Sequence, residues 1–247
     1  MSGTSLYTEM AGLQAITARM EAVAANLANQ QTPGYAAVQA QTEAADYEGA
    51  NAPPGADAVV LTPGPNLAQG SPNHTGDPLN VALGGDAWME VQTDAGPALT
   101  RDGSLSLTPS GILTDSSGNP VLGVGGAPIS LPQLAKLEIG EDGTVSGVPA
   151  ANPSGPAQAY GQINLVATPA GKLSPLSGTL YMPASGAALA RSTDGKMEQG
   201  YLNGSNVDPT QAMIEMISDS RSYQLQTDMM KTQSGPDAGL NTLLSQG

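Results

Sequence analysis

Apolar side chains recur along the first thirty residues in steps of four and three: Leu6, Met10, Leu13, Met20, Ala24 and Leu27, with Thr17 breaking the row. On a helix this spacing draws one seam, at the heptad period that suits packing against another helix. Ile16 and Val23 lie beside it and widen the stripe. The pattern predicts a helix from Ser5, as N-cap, to about Asn29, with Glu9 early enough to favour the helix dipole. Asn29 can cap the C-terminus, and Pro33-Gly34 cannot continue a helix. A second seam lies at the far end, where Met213, Met216, Tyr223 and Met230 take matching positions, Ser220 and Thr227 are the polar members and Ile217 flanks them. Asp208-Pro209-Thr210-Gln211 marks its start: Asp can cap, Pro suits the first helical position, and Gln sits where a capping box wants it. Ser234-Gly235-Pro236 predicts an end or a kink, with a short tail helix around Leu240, Leu243 and Leu244.

Between the seams the period falls to two. Leu79–Leu83, Trp88–Val91, Ala98–Arg101 and Ser104–Leu107 read as strands, followed by Gly111–Thr114, Pro120–Gly123, Leu137–Ile139, Thr144–Ser146, Gly161–Val166 and Leu180–Met182. Turns are expected at Gly84-Gly85-Asp86, at Asp102-Gly103 as a type I′ hairpin, at Asp115–Asn119 and at Glu141-Asp142-Gly143. Residues 36–78 are small and polar, punctuated by Asn51-Ala52-Pro53-Pro54-Gly55 and Thr62-Pro63-Gly64-Pro65. They read as an irregular linker with one strand around 58–61. The expected organisation is an N-terminal assembly helix (1–35), a linker (36–78), a β-rich body (79–207) and a C-terminal assembly helix (208–247) with a break near 235–236. The class is α+β: amphipathic terminal helices forming a coiled-coil-like assembly domain, with a mostly antiparallel β body inserted between them.

Composition restricts this further. Aromatics make up 3% of the 247 residues, Phe is absent and charged residues are 12%, while Gly (31) and Pro (20) abound, so an elongated, loop-rich body is expected in preference to a deep-cored enzyme. Twenty-two acids against 8 Lys and Arg give a net charge of −14, the wrong sign for nucleic acid or for adsorption to anionic lipid. The absence of Cys rules out disulfides and thiolate metal sites. Thr8, Glu9, Arg19 and Glu21 interrupt the N-terminal apolar pattern, so no cleavable signal peptide is expected, nor any membrane span. The seams are rich in Ala, Met and Thr. Each fully buried seam side chain stabilises by about 1.5–3 kcal/mol, while ordering each residue costs roughly 1–2 kcal/mol of backbone entropy. A lone helix pair is therefore expected to be marginal and to gain order when more helices join it.

Candidate chemistry is sparse. His74 is the only histidine, and Ser71 and Asp77 lie too close to it along one Pro/Gly loop to form a triad. No calcium-loop series is present, and the Asp-Gly pairs are turn chemistry. Gly84-Gly85 and Gly123–Gly126 lack a phosphate-binding lysine or a dinucleotide fingerprint. No catalytic residue, metal or cofactor is expected.

Asn26-Leu27-Ala28-Asn29, Thr32, Gly34 and Tyr35, following the first seam, resemble the N-terminal signature of the bacterial flagellar rod and hook family. Leu6–Gly12, Leu79–Val91, Thr100–Leu105, Gly118–Gly123 and Glu141–Val145 are similar to further stretches of it. So are Gln199–Leu202, Ser205-Asn206-Val207, Met213, Met216-Ile217 and Arg221-Ser222-Tyr223. Ala25, Ala87 and Leu105 depart from the residues usual there. The opening residues look most like the proximal-rod members. The resemblance implies a non-enzymatic rod subunit in the basal body, crossing the periplasm and carrying torque from motor to hook. It also implies export by the flagellar type III apparatus without cleavage, and partners that are copies of itself and other rod proteins. The assembly interface would then be Leu6, Met10, Leu13, Met20, Leu27, Met213, Met216, Ile217, Tyr223 and Met230. The alternatives are a distal rod or hook-type subunit, or, in another class, a secreted β-rich carbohydrate-active enzyme or binding protein.

Overall fold

The computed structural model describes residues 3–46, 57–167, 173–183 and 189–244, with side-chain surroundings at 10–39, 64–167, 173–183 and 189–232. The chain forms two compact units. One comprises Met1–Leu27, Val38–Pro63 and Asp208–Gly247, and the other Ala28–Ala37 and Gly64–Val207.

The first unit carries two helices, α1 (Gly3–Ala28) and α2 (Pro209–Leu244), as the seams predict. Asp208 caps α2 through its Oδ1, which accepts from the Thr210 and Gln211 amides at 2.9 and 3.1 Å. The capping box is not completed, because the Gln211 side chain donates forward to Glu215 at 2.8 Å. Where the sequence predicts a break at Gly235-Pro236, α2 runs on to Leu244. A proline inside a helix removes one backbone donor, and the neighbouring turns can continue the path. The expected linker is also more ordered than its composition suggests: Val38–Asp46 and Asp57–Pro65 pair as a two-stranded sheet. Backbone pairing makes these strands. The second contains the strand expected around 58–61, whereas the first, with Val38 as its one large apolar residue, carries no alternating apolar signal. Pro63 and Pro65 are tolerated because a two-stranded sheet has only edges.

The second unit is β-rich and antiparallel throughout its recorded pairings. Its main sheet has the order Leu173–Ser177, Leu180–Pro183, Gly96–Thr100, Ala87–Thr93, Leu165–Ala167, Ala190–Arg191. Both faces of this sheet are covered. Met89, Val91, Ala98, Leu165 and Leu180 join one apolar cluster, with Leu83, Leu113, Val121, Ile163 and Met197. Their strand neighbours Trp88, Leu99, Val166 and Tyr181 join a second, with Leu173 and Ala36. Successive residues such as Trp88 and Met89 are thus both fully buried, one on each face, which a period-two strand allows only when both faces are roofed.

The turns at Asp115–Asn119 and Glu141–Gly143 close as expected, with Gly118 and Gly143 at positive φ. Asp102-Gly103 does not form a hairpin. The flanking strands pair elsewhere, and Gly103 has no positive φ. It is glycine for a different reason: a Cβ there would lie 1.7 Å from the Val81 carbonyl oxygen, which accepts no side chain so near.

Candidate functional site

The helical unit comes first. Arg19 on α1 and Asp219 on α2 form an ion pair at 3.0 Å, and a Cβ placed on Gly12 would lie 3.4 Å from Gln226 Nε2. Residue numbers run in opposite senses between these contacts, so the helices are antiparallel. The predicted α1 seam divides lengthwise. Leu13, Met20 and Leu27 are half-buried and Val23 is buried, whereas Met10, Thr17 and Ala24 remain exposed. Leu6 lies outside the residues whose side chains are described.

On α2, Ala212 and Asp219 are buried and Met216 and Met230 half-buried. Tyr223 is 37% exposed, and Met213, Ile214, Ile217, Leu225 and Met229 are 50–66% exposed. At about 100° per residue these last five occupy an arc of about 160°, centred opposite Ala212 and Asp219. The helix is therefore apolar on two flanks, one covered and one open.

In the β unit, the segment that follows α1 along the chain is held by the segment that precedes α2. The Gly34 amide donates to the Asn203 carbonyl at 2.8 Å, and the Asn206 amide to the Tyr35 carbonyl at 3.3 Å. The Ala37 amide donates to Asn206 Oδ1 at 2.6 Å, and Asn206 Nδ2 donates to the carbonyls of Asn66 (2.9 Å) and Ala68 (2.6 Å). The Asn66 amide closes the ring by donating to the Ala37 carbonyl at 2.7 Å. Asn203 holds Leu83 from both sides: the Leu83 amide donates to Oδ1 at 2.6 Å and Nδ2 donates to the Leu83 carbonyl at 3.0 Å. A carboxamide carries the donor and acceptor of a peptide group, so each asparagine stands in for a strand partner. In the helical unit Asn26 does the same for Val38, accepting from its amide at 2.7 Å and donating to its carbonyl at 2.9 Å.

The N-terminal signature now has a physical reading. Thr32 donates from its amide to the Asn29 carbonyl (3.1 Å) and from its hydroxyl to Asn29 Oδ1 (3.2 Å), turning the chain after the helix. Gly34 takes φ +68° against the Arg101–Asp102 peptide. Tyr35 is buried, and burial pushes its phenol above the ordinary value against a lowering hydrogen bond from Asn29. Leu27 is half-buried and Ala28 exposed. Ala36 enters the second core cluster, and its carbonyl accepts from Tyr181 Oη at 2.8 Å. Burial raises the Tyr181 phenol too, so both rings stay neutral. Tyr181 meets Trp88 edge-on at 5.3 Å, and the Arg101 guanidinium lies 4.3 Å above the Trp88 ring. Arg101 also donates to the carbonyls of Leu67 (2.6 Å) and Ala87 (3.2 Å), while burial lowers its pKa.

Sequence reasoning did not single out Asn203, Asn66, Arg101 or Tyr181 as site residues. The one available signal was the density of asparagines in Asn203-Gly204-Ser205-Asn206 at the end of the β region. His74, the candidate set aside, is exposed and stacks edge-on with Tyr201 at 4.9 Å. Among the described residues no helix is long and apolar enough to cross a membrane.

Two long helices with an open apolar flank, and a β unit in which the segment following α1 is tied to the segment preceding α2, define a structural building block. Three family descriptions match: "Flagella basal body rod protein" over residues 6–35, "Flagellar hook protein FlgE/F/G D1 domain" over 82–147, and "Flagellar basal body rod FlgEFG protein C-terminal" over 198–243. The flagellar basal-body rod protein FlgF of Salmonella typhimurium is 31% identical, over 98% of each chain. FlgF of Caulobacter vibrioides is 30% identical over 92% of this chain and 91% of its own. The rod protein FlgG of Bacillus subtilis is 28% identical over 92% and 94%. The chain belongs to the flagellar basal-body rod protein family, and is a structural subunit of the rod and not an enzyme.

Proposed function

We propose that this subunit assembles through its terminal helices, coiled-coil fashion, with copies of itself and with other rod proteins, and that the rod so built carries torque from motor to hook. The observation that supports this is the open row Met213, Ile214, Ile217, Leu225 and Met229. Covering each such side chain with a neighbouring helix adds about 1.5–3 kcal/mol if burial is complete. In this reading residues 1–35 and 208–247 are the assembly segments, and residues 79–207 form the β-rich body. The proximal part of the rod is the position favoured by the likeness to FlgF proteins along the whole chain. The subunit would reach the periplasm through the flagellar export apparatus without cleavage.

Leu13 and Met216 are half-covered inside the subunit itself, so substitutions there disturb the subunit before they test assembly. Ile217 is the cleaner probe. Ile217→Asp places a carboxylate that must be desolvated or protonated in any helix contact, while on the isolated chain an exposed substitution changes stability by no more than about 0.5 kcal/mol. The expected result is a normal melting curve for the purified variant, no completed rod in basal-body images, and cells that do not swim. Swimming cells at parental expression would overturn the assignment of this face.

A further inference from the structure

Asn203-Gly204 is the one Asn-Gly step in the chain. Such a step is chemically labile because glycine has no Cβ to hinder its backbone nitrogen. That nitrogen can attack Cγ of the preceding asparagine. The new C–N bond forms, the Cγ–Nδ2 bond breaks, and the proton lost by the attacking nitrogen leaves in ammonia. Water then opens the cyclic imide at one of its two carbonyls, giving aspartate or β-linked isoaspartate.

In the closed structure both reacting groups are held away from this path. The Asn203 carboxamide is engaged through Oδ1 and Nδ2 by the Leu83 peptide groups, and Asn203 is buried. The Gly204 amide donates to the Ser71 carbonyl at 2.9 Å. The Gly204 peptide is also backed by Gly70, where a Cβ would lie 2.0 Å from the Gly204 carbonyl oxygen. Neither the side chain nor the peptide plane can rotate toward the other without breaking these bonds. We propose that Asn203-Gly204 is a fold-gated modification site, locked while the clasp around Leu83, Ser71 and Gly34 is closed and converted by water to aspartate or isoaspartate when it is open.

The product does not fit the closed clasp. An aspartate presents a carboxylate to the Leu83 carbonyl in place of an N–H donor, in a buried position. Isoaspartate inserts a methylene into the main chain at the residue whose carbonyl receives the Gly34 amide. A chain that has stayed open long enough to react therefore loses the ability to lock its N-terminal segment.

The test uses the full chain, incubated in mildly alkaline buffer with and without urea, with conversion at residue 203 followed by peptide mass mapping. Native conversion is expected to be at least about tenfold slower, because it waits on local opening. Equal rates in the two conditions would overturn the gating, and conversion in urea no faster than at the other asparagines would overturn the site. Gly204→Ala, read only in urea so that its folding does not matter, is expected to slow the reaction sharply. An unchanged rate would overturn the assigned chemistry. Converted parental chain, purified and returned to native buffer, is expected to lose amide-exchange protection at Leu83 and Gly34. Retained protection would overturn the claim that the product unlocks the clasp.

Discussion

Gly34 stands so close to Arg101 that a β-carbon on it would lie 2.4 Å from the Arg101 carbonyl, and its φ of +68° disfavours any L side chain. Both restrictions act at once in Gly34→Ala. Left-handed backbone costs an alanine about 1–2 kcal/mol and the overlap about 1–3 kcal/mol more. The variant is expected to lose about 2–5 kcal/mol of stability in the β unit, read as a lower urea midpoint. A midpoint equal to the parent's would mean that the segment shifts freely off the Arg101–Asp102 peptide.

Asn206 bridges three backbone groups with the acceptor and two donors of one planar carboxamide, which glutamine would present one methylene farther from the backbone. Asn206→Ala leaves the Ala37 amide and the Asn66 and Ala68 carbonyls without that partner, at a cost of about 1–3 kcal/mol. Asn206→Asp should be worse than Asn206→Ala at neutral pH, since it turns a carboxylate toward two carbonyls. Amide exchange is the direct readout: Ala37 is expected to lose protection in both variants. Protection surviving in the aspartate variant would contradict the donor roles assigned to Nδ2.

Asp102 carries a pH signature. It is buried, and burial raises its pKa above the ordinary carboxylate value against hydrogen bonds from Ser116 and the Ser104 amide, with Asp115 nearby raising it further. A raised carboxyl binds protons more readily folded than unfolded. Its contribution to stability is therefore fully present below the unfolded pKa of about 3.9 and is lost as pH rises through the folded value. Asp102→Asn keeps an acceptor for the Ser104 amide and removes the buried charge. It is expected to melt above the parent at pH 7, with the gap closing in acid. A gap of the same size at both pH values would show that ionisation is not its cause.

Arg19 and Asp219 are unequal partners, because the Arg19 side chain is 50% exposed and that of Asp219 only 9%. The pair itself contributes no more than about 1 kcal/mol in so wet a setting. Removing the arginine alone strands a covered carboxylate, whereas removing both leaves nothing to desolvate. Arg19→Ala is thus expected to destabilise the helical unit more than the double variant Arg19→Ala/Asp219→Ala. Helix content followed by circular dichroism through a thermal ramp measures the order. The reverse order would show that Asp219 is solvated in the subunit.

The amino-acid sequence by itself determined where the first helix ends and the second begins and the β character of the middle, and it offered no catalytic candidate. Each rests on a local rule: the Asp208-Pro209 start, the Pro33-Gly34 stop, period-two alternation, and one histidine with no cysteine. It also carried the family, through motifs spread along the chain. It did not decide which flank of each helix closes. A heptad row such as Met10, Leu13, Thr17, Met20 spans both flanks of a straight helix, and only the antiparallel approach at Gly12 and Arg19 turns Leu13 inward and leaves Met10 outside. The strand at Asp57–Pro65 was legible in part, as the one expected around 58–61, but its partner Val38–Asp46 was illegible because backbone pairing needs no side-chain pattern. The clasp was illegible for a deeper reason. Asn203 and Leu83 are 120 residues apart, and Asn206 and Ala37 are 169 apart. A carboxamide replacing a peptide partner over such a span has no periodicity and no neighbour to announce it, so tertiary structure alone reveals what these asparagines hold.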